Sequence, residues 1–569
     1  MTIYKSLFIC RGSLSSSLFG KQLASNSYSI SQNGLRIQYS SESVSESLPK
    51  IKSSDSSMMK HIYSFNLKNI DKLRGKYNSL VATAYQGGGE KAIKRHVERN
   101  KKILVRERLK KILDTNSPVL EIGTLAGYDM EYGNIACAGV VTVIGKIHNT
   151  WCMVVANDAT VKGGSIYPIT LKKQLRCHQI AEENHLASIY LVDSGGAFLP
   201  LQSEIFNPGG RIFHNQAVMS SQGIPQIAFV CGSCTAGAAY IPTMAQEAVI
   251  ADQIGTIFLG GPPLVQAATG EKVTPNELGG ADLHSRLSGC TDHFVKTEIE
   301  GLKRVRDIVA TSNLTKVKGE NFYSEKDKTE ICKLAAGNKE YSVDAHEIIK
   351  CLADNDGFHE YKEQYGTSLV TGFMFVSGIL VGVIANNGYI TDKAAKKGSN
   401  FVQLCGDRQI PVLFLQNLCH DETSSVNDTS NSVIKSRASL MQSIATCPCP
   451  KIVISVGGLV GSPHMHPMCS LSMGARFHFV WPNVRLGAEF LWNSNSDISY
   501  SEYETLKHKS TAFYGASQCW YDGIVLPEDT KEVIFFCLSI FEQERATRLQ
   551  QANNQAISDP NNMHTVIRL

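Results

Sequence analysis

The central part of the chain carries one layout twice, and that duplication constrains its fold more than any other feature. The first copy reads Val154-Val-Ala-Asn-Asp158 and, about 75 residues later, Gly232-Ser-Cys-Thr-Ala-Gly-Ala-Ala-Tyr240. The second reads Val383-Ile-Ala-Asn-Asn387 and then Gly457-Gly-Leu-Val-Gly-Ser-Pro-His464. Landmarks recur at an offset of roughly 225 to 230 residues. Two related domains, each with a Gly-rich turn at the same depth, suggest one reaction shared between two half-sites. The proline in the second turn asks whether that half still works.

The surrounding pattern is layered α/β. Cys137–Gly145 and Trp151–Ala156 read as adjacent strands joined at His148-Asn149, followed by a helix over Thr170–Asn184 and a strand over Ser188–Asp193. A helix around Ile212–Gln222, the strand Gln226–Cys231 and a helix opening near Ala236 complete the first unit. The second repeats the order: strands Leu369–Phe375 and Ile379–Ala385, helix Ala394–Arg408, strand Ile410–Gln416, helix Ser432–Thr446 and strand Lys451–Val456. Short apolar runs alternating with amphipathic segments give this class. Ahead of them, Met58–Asp114 is charged and amphipathic, with one or two helices expected over Lys91–Leu113. Thr315–Asn338 reads as a polar link and Asp421–Asn431 as a surface loop or disordered segment.

Bulk composition narrows the class. At 569 residues the chain is too long for one ordinary core. A net charge of +4 without a concentrated basic face argues against nucleic-acid binding. No run of 18 clean apolar residues suggests a membrane span. The 16 cysteines form no repeated CxxC pair, which favours free thiols in a reducing compartment. Cys447-Pro-Cys449 and the His464-Met-His466…Cys469 cluster come nearest to metal spacing, but no second ligand pair lies close by, and no metal is expected. The first 41 residues lack Asp and Glu but contain Lys5, Arg11, Lys21 and Arg36 among many serines, the composition of a mitochondrial transit peptide; a tail without targeting value is the competing reading.

At Gln226–Tyr240 a strand meets Gly232 and then a crowd of small residues. Small side chains let a ligand reach the backbone, whose free N–H groups stabilise an oxyanion or enolate without a charged side chain. Close helix–sheet packing also selects Gly and Ala, so that reading stays open. Ser233 and Cys234 lie in no G-x-S-x-G elbow, and Gly457-Gly-Leu-Val-Gly461 lacks the spacing of a dinucleotide loop.

Longer strings carry a resemblance. Val155-Ala-Asn-Asp-Ala-Thr-Val-Lys-Gly-Gly164, Lys172-Lys-Gln-Leu-Arg176, Tyr190-Leu-Val-Asp-Ser-Gly-Gly-Ala-Phe-Leu-Pro200, Gly232-Ser-Cys-Thr-Ala-Gly237, Gly255–Val265, Leu278–His284, Ala394-Ala-Lys-Lys-Gly398, Phe401–Cys405, Trp481-Pro-Asn483 and Asp522-Gly-Ile524 are similar to the carboxyltransferase, non-biotinylated beta, subunits of methylcrotonoyl-CoA carboxylase. The resemblance runs from about Met58 to Gln543. It implies two tandem crotonase-like ββα spiral domains: 58–325 with leading helices on the acyl-CoA side and 326–545 on the carboxybiotin side, between a leader and linker at 1–50 and a polar tail at 546–569. It further implies a mitochondrial matrix enzyme that self-associates through these domains and joins a biotin-carrying alpha subunit, six plus six. That partner alone uses ATP, magnesium and bicarbonate. The implied reaction moves a carboxyl group from carboxybiotin to 3-methylcrotonyl-CoA, giving 3-methylglutaconyl-CoA in leucine breakdown.

Carried over by position, the thioester oxyanion hole falls at Gly237 and Ala238, where the family has Gly for Ala238. The biotin-side hole falls at Ser462 and Pro463, and Pro463 has no N–H to donate; a shift of one residue would bring in His464. Lys162, Gly163, Gly164, Gly195 and Gly196 are candidate ligand-binding positions on the first side, and Gly457, Gly458 and Gly461 on the second. Leu418–Ser425 and Gly487–Trp492 also depart from the family's glycine-rich loops, and the stretch from there to Asp522 is short. These losses touch loops of one half only. Two readings follow: a working carboxyltransferase subunit, or a catalytically impaired acyl-CoA-binding paralogue with a structural or regulatory role. A free hydratase or decarboxylase is a distant third.

Overall fold

A computed structural model describes residues 56–316, 328–336, 343–417, 431–457, 459–460, 466–486 and 499–557. Two sheets dominate it, and they share one plan. In the first, Leu120–Ile122, Val140–Ile147 and Thr150–Asn157 pair antiparallel. Ala187–Ser194, Gln226–Thr235, Glu247–Ala251 and His293–Val295 then continue the sheet in parallel. In the second, Phe358–Glu360, Leu369–Val376 and Ile379–Asn386 are antiparallel. Val412–Gln416, Lys451–Ser455, Phe477–Val480 and Gly523–Ile524 follow in parallel. Helices Pro168–Glu183 and Gln202–Ser221 make the crossovers of the first sheet, Asp392–Arg408 and Asn431–Thr446 those of the second. The duplication therefore extends to strand pairing, with Val140 opposite Asn157 and Leu369 opposite Asn386.

The parallel strands are mainly apolar on both faces because both faces are covered: Ala187–Ser194 and Val412–Gln416 are buried throughout. The tight turn at His148-Asn149 has φ of 52° and 63°, the left-handed pair that matches strand twist in a two-residue hairpin. Three expectations are adjusted. The helix expected around Ile212 begins at Gln202 and runs through Pro208-Gly-Gly, carried by the buried stripe Ile205, Ile212, Gln216 and Met219. The basic stretch divides into Glu90–Lys94, a π turn at Arg95–Arg99, and Val105–Ile112. Within the expected polar link, Ile331, Cys332 and Leu334 are buried, so that part belongs to the core; residues 317–327 lie outside the described residues. So does the expected loop 421–431, apart from the backbone of Asn431, which opens a helix.

One hydrophobic cluster spans both sheets, taking in Val155 and Val230 of the first and Leu415 and Ile454 of the second. The last helix, Thr530–Ile557, closes it by returning to the first sheet. Gln543 donates to the carbonyl of Trp151 and accepts from its N–H, at 3.0 and 2.7 Å, and Phe536 lies 4.5 Å from the Trp151 ring. Among the described residues no helix is long and apolar enough to cross a membrane.

Candidate active site

The C-terminal ends of three adjacent strands meet at one place. Asn157 leads into Lys162-Gly163-Gly164, Ser194 into Gly195-Gly196, and Thr235 into Ala236-Gly237-Ala238-Ala239, a single 3-10 turn. Ser165–Ile166 pairs with Gly196–Ala197, and Ser194 pairs with Cys234, which ties the three segments together. Ser194 Oγ donates to the Gly164 carbonyl at 2.9 Å. The sequence-derived positions Lys162, Gly163, Gly164, Gly195, Gly196, Gly237 and Ala238 thus lie on one rim.

Two of these glycines are required by space. A Cβ on Gly164 would lie 2.3 Å from the Asp193 carbonyl, and one on Gly232 would lie 2.0 Å from Asp193 Oδ1. Gly237 is different. Its φ is not left-handed, and a Cβ would touch only Phe213 at 3.7 Å. It is exposed, so packing does not require the absence of a side chain there. The strained position of the turn is Ala236, at φ 55°. Ala238 is not left-handed, and its methyl is buried in the core. Alanine at this position therefore keeps its N–H and turns its methyl into the core.

The turn is held from behind. Cys234 Sγ donates to the Ala238 carbonyl at 2.9 Å. Burial, with Cys231 and Asp193 nearby, pushes this thiol well above its ordinary range, so it clamps the turn rather than acting as a nucleophile. Ser233 shares its hydroxyl with Thr235 at 3.0 Å. Beneath Gly232, buried Asp193 meets Lys102 Nζ at 3.0 Å and Arg108 Nη2 at 3.6 Å. Arg108 also pairs with Glu298 at 2.8 Å and donates to the Cys231 carbonyl at 3.2 Å. Lys102, Arg108, Asp193 and Glu298 are the residues that sequence reasoning missed. Asp193 stood in a recognised string, but nothing local marks its partners 91 and 85 positions earlier.

Beside the rim a cavity of about 320 Å³ is lined by Lys162, Val161 and Thr160 together with Gly87 and Gly88 from the leading helical region. Gly88 N donates to Thr160 Oγ1 at 3.0 Å. A lysine among the lining residues of a mainly apolar cavity suits a ligand that carries an anionic group.

In the second half the strand register sets Gly457 at the position of Gly232: Gln416 pairs Ser455 as Val192 pairs Val230, two residues before each glycine. Counting onward, Ser462 and Pro463 match Gly237 and Ala238. Gly458, Gly461, Ser462 and Pro463 lie outside the described residues, as do 418–425 and 487–492. Gly457 is described and buried, its N–H donating to the Gln416 carbonyl at 3.0 Å.

Comparison with known proteins agrees with this architecture. Residues 95–488 match the family model of the carboxyl transferase domain. The methylcrotonoyl-CoA carboxylase beta chain, mitochondrial, of Dictyostelium discoideum is 40% identical over 539 residues, covering 89% of each chain. The biotin-dependent 3-methylcrotonyl-coenzyme A carboxylase beta1 subunit of Mycobacterium tuberculosis is 40% identical over 499 residues, covering 82% of this chain and 94% of that one. Among solved structures, the beta subunit of P. aeruginosa geranyl-CoA carboxylase superposes with a TM-score of 0.77 at 31% identity, covering 88% of this chain and 98% of that one. Its fold is that of the carboxyltransferase beta subunits, two crotonase-like domains in one chain. With the matching model spanning more than half of the sequence and these relatives covered nearly end to end, the chain belongs to the carboxyl transferase family, among the methylcrotonoyl-CoA carboxylase beta chains.

Proposed function

We propose that this chain transfers the carboxyl group of carboxybiotin to 3-methylcrotonyl-CoA, acting as the carboxyltransferase subunit of a mitochondrial matrix carboxylase. The observation that carries the reading is the rim at Gly237 and Ala238, an open turn of small residues on a chain similar to methylcrotonoyl-CoA carboxylase beta chains over nearly its whole length. Such a turn presents backbone N–H groups to a thioester oxygen. As the γ carbon loses its proton, negative charge moves onto that oxygen, and each donor placed there stabilises the transition state by about 3 to 4 kcal/mol. Lys162 and the cavity beside it take the CoA portion, with Gly163, Gly164, Gly195 and Gly196 letting the ligand lie against the backbone.

The second sheet, with Gly457, Gly458, Gly461, Ser462 and Pro463, forms the carboxybiotin side. When bound, carboxybiotin supplies the carboxyl carbon. The chain's own donors fit that group in part: the turn starts at the equivalent strand end, but Pro463 has no N–H. Exposed Leu199, Phe206, Tyr240, Leu259 and Leu264 stand on segments flanking the first rim and supply an apolar surface for the second half of another copy. A biotin-carrying alpha subunit, six with six of these chains, completes the assembly. The relatives' whole-length likeness favours this reading over an impaired acyl-CoA-binding paralogue.

The test is direct. The chain, co-assembled with a biotin-carrying partner, should fix labelled bicarbonate onto 3-methylcrotonyl-CoA. Acyl-CoA binding without any transfer would replace this reading with the non-catalytic one.

A further inference from the structure

The two sheets differ most sharply where their plans coincide. In the central strands the first half has Val192, Val230 and Ala248, all buried and apolar. The second half has Gln416, Ser455 and His478 at the corresponding register positions, also fully buried. A fold that closes with three apolar side chains does not need three polar ones, and burying them is costly unless every group is satisfied.

They are joined in one chain of hydrogen bonds. Gln416 Nε2 donates to the Cys469 carbonyl at 2.7 Å, and Ser455 Oγ donates to Gln416 Oε1 at 2.6 Å. The single Ser455 proton is thereby used. His478 Nε2, 2.9 Å from Ser455 Oγ, must carry a proton and donate to it, which fixes the neutral tautomer. Gln416 also accepts the N–H groups of Val456 and Gly457 on its main-chain oxygen, at 2.9 and 3.0 Å. One residue thus bonds the backbone at both Gly457 and Cys469, the latter at a left-handed φ of 65°. The array is anchored across the molecule. Asp522 accepts the backbone N–H of His478 at 2.8 Å and takes a bidentate pair from Arg176 of the first half, at 2.8 and 3.0 Å.

We infer that Gln416, Ser455 and His478 are positioning residues for the carboxybiotin side, holding the backbone at Gly457 and Cys469 in register and tying it, through Asp522 and Arg176, to the first half. The assignment of a side rests on the proposed carboxyl transfer; the anchoring does not. Misplacement of reacting groups by about 1 Å lowers rates by roughly a hundredfold, so loss of the array acts on kcat while the acyl-CoA rim is untouched.

The experiment uses the full assembly carrying S455A, S455T, or the triple Q416V/S455V/H478A that copies the first half's apolar set. S455A and the triple variant should lose roughly tenfold to a hundredfold in kcat. KM for 3-methylcrotonyl-CoA should stay within about twofold, and KM for free biotin in reverse transfer from the carboxylated thioester should rise. S455T should recover most of the loss. Hydrogen exchange at Gly457 and Cys469 should speed up in S455A. Unchanged kcat and biotin KM in a folded triple variant, or unchanged exchange in S455A, overturns the inference. If the wild-type assembly itself transfers nothing, the functional reading fails, and exchange alone decides whether the array anchors the turn.

Discussion

Replacing Gly237 by alanine separates the two reasons a glycine can stand in a turn. Its backbone is not left-handed, and an added Cβ would meet only Phe213 Cζ at 3.7 Å, ordinary contact. Folding should therefore be unharmed, and reduced freedom of the unfolded chain should raise stability by about 0.4 to 1 kcal/mol. The methyl would stand on the exposed face of the turn, where the proposed function brings a thioester oxygen within hydrogen-bond reach of the backbone. Complete loss of one donor contact is worth about 3 to 4 kcal/mol, a hundred- to thousandfold fall in kcat/KM. The assay pairs a urea midpoint on the purified chain with carboxyl transfer by the assembly. Wild-type turnover in the folded variant would refute the claim that a ligand approaches at Gly237. A large loss of stability would refute the claim that the glycine is sterically unnecessary.

Gly232→Ala should show the reverse pattern: its Cβ would fall 2.0 Å from Asp193 Oδ1, and overpacking of about 1 to 3 kcal/mol should appear in the urea midpoint. Pro463→Ala should raise carboxyl transfer, by up to a hundred- to thousandfold if a donor is missing there; an unchanged rate would place the biotin-side donors elsewhere. Arg176→Met should cost about 3 to 5 kcal/mol, read by chemical denaturation, because it strands the buried Asp522 carboxylate. Stability should also fall on acidification. Burial depresses His178 and His478 to about 4, against 6.5 when unfolded, so stability present above pH 6.5 is lost as pH falls towards 4, by up to about 3 kcal/mol each. His346 has the opposite sign: Asp344 and then Glu360 raise it to about 9 against the effect of burial, so its small contribution is complete below pH 6.5 and fades as pH rises towards 9. Urea midpoints against pH check both, and His346→Gln should remove only the alkaline component.

Where local pattern decides structure, the sequence was readable. The strands around Val154 and Val383 carry continuous apolar runs, and the crossover helix expected from Thr170 to Asn184 is observed at Pro168–Glu183. The helix starting at Gln202 is longer than the sequence predicts: Pro208, Gly209 and Gly210 are breakers by composition, while a buried stripe along the same segment outweighs them. Ile331, Cys332 and Leu334 sat in a stretch without periodicity and still entered the core through contacts with the first helix, far away in sequence. The glycines of the first rim were legible as a set. Which of them answer to space and which to access was not, since that depends on what stands opposite each one.

By itself the sequence determined the duplication, the layered α/β class, the family and the small-residue turn at Gly237 and Ala238, because all of these are written in short-range pattern or in long strings similar to the family's. Only the tertiary structure decided that strain falls on Ala236, that the Ala238 methyl faces the core, that Lys102 and Arg108 stand under Gly232, and that Gln416, Ser455 and His478 join in one array. The physical reason is the same in each case. Backbone sign, side-chain direction and charge pairing are fixed by neighbours tens to hundreds of residues away, such as Arg176 and Asp522, separated by 346 positions and held 2.8 Å apart.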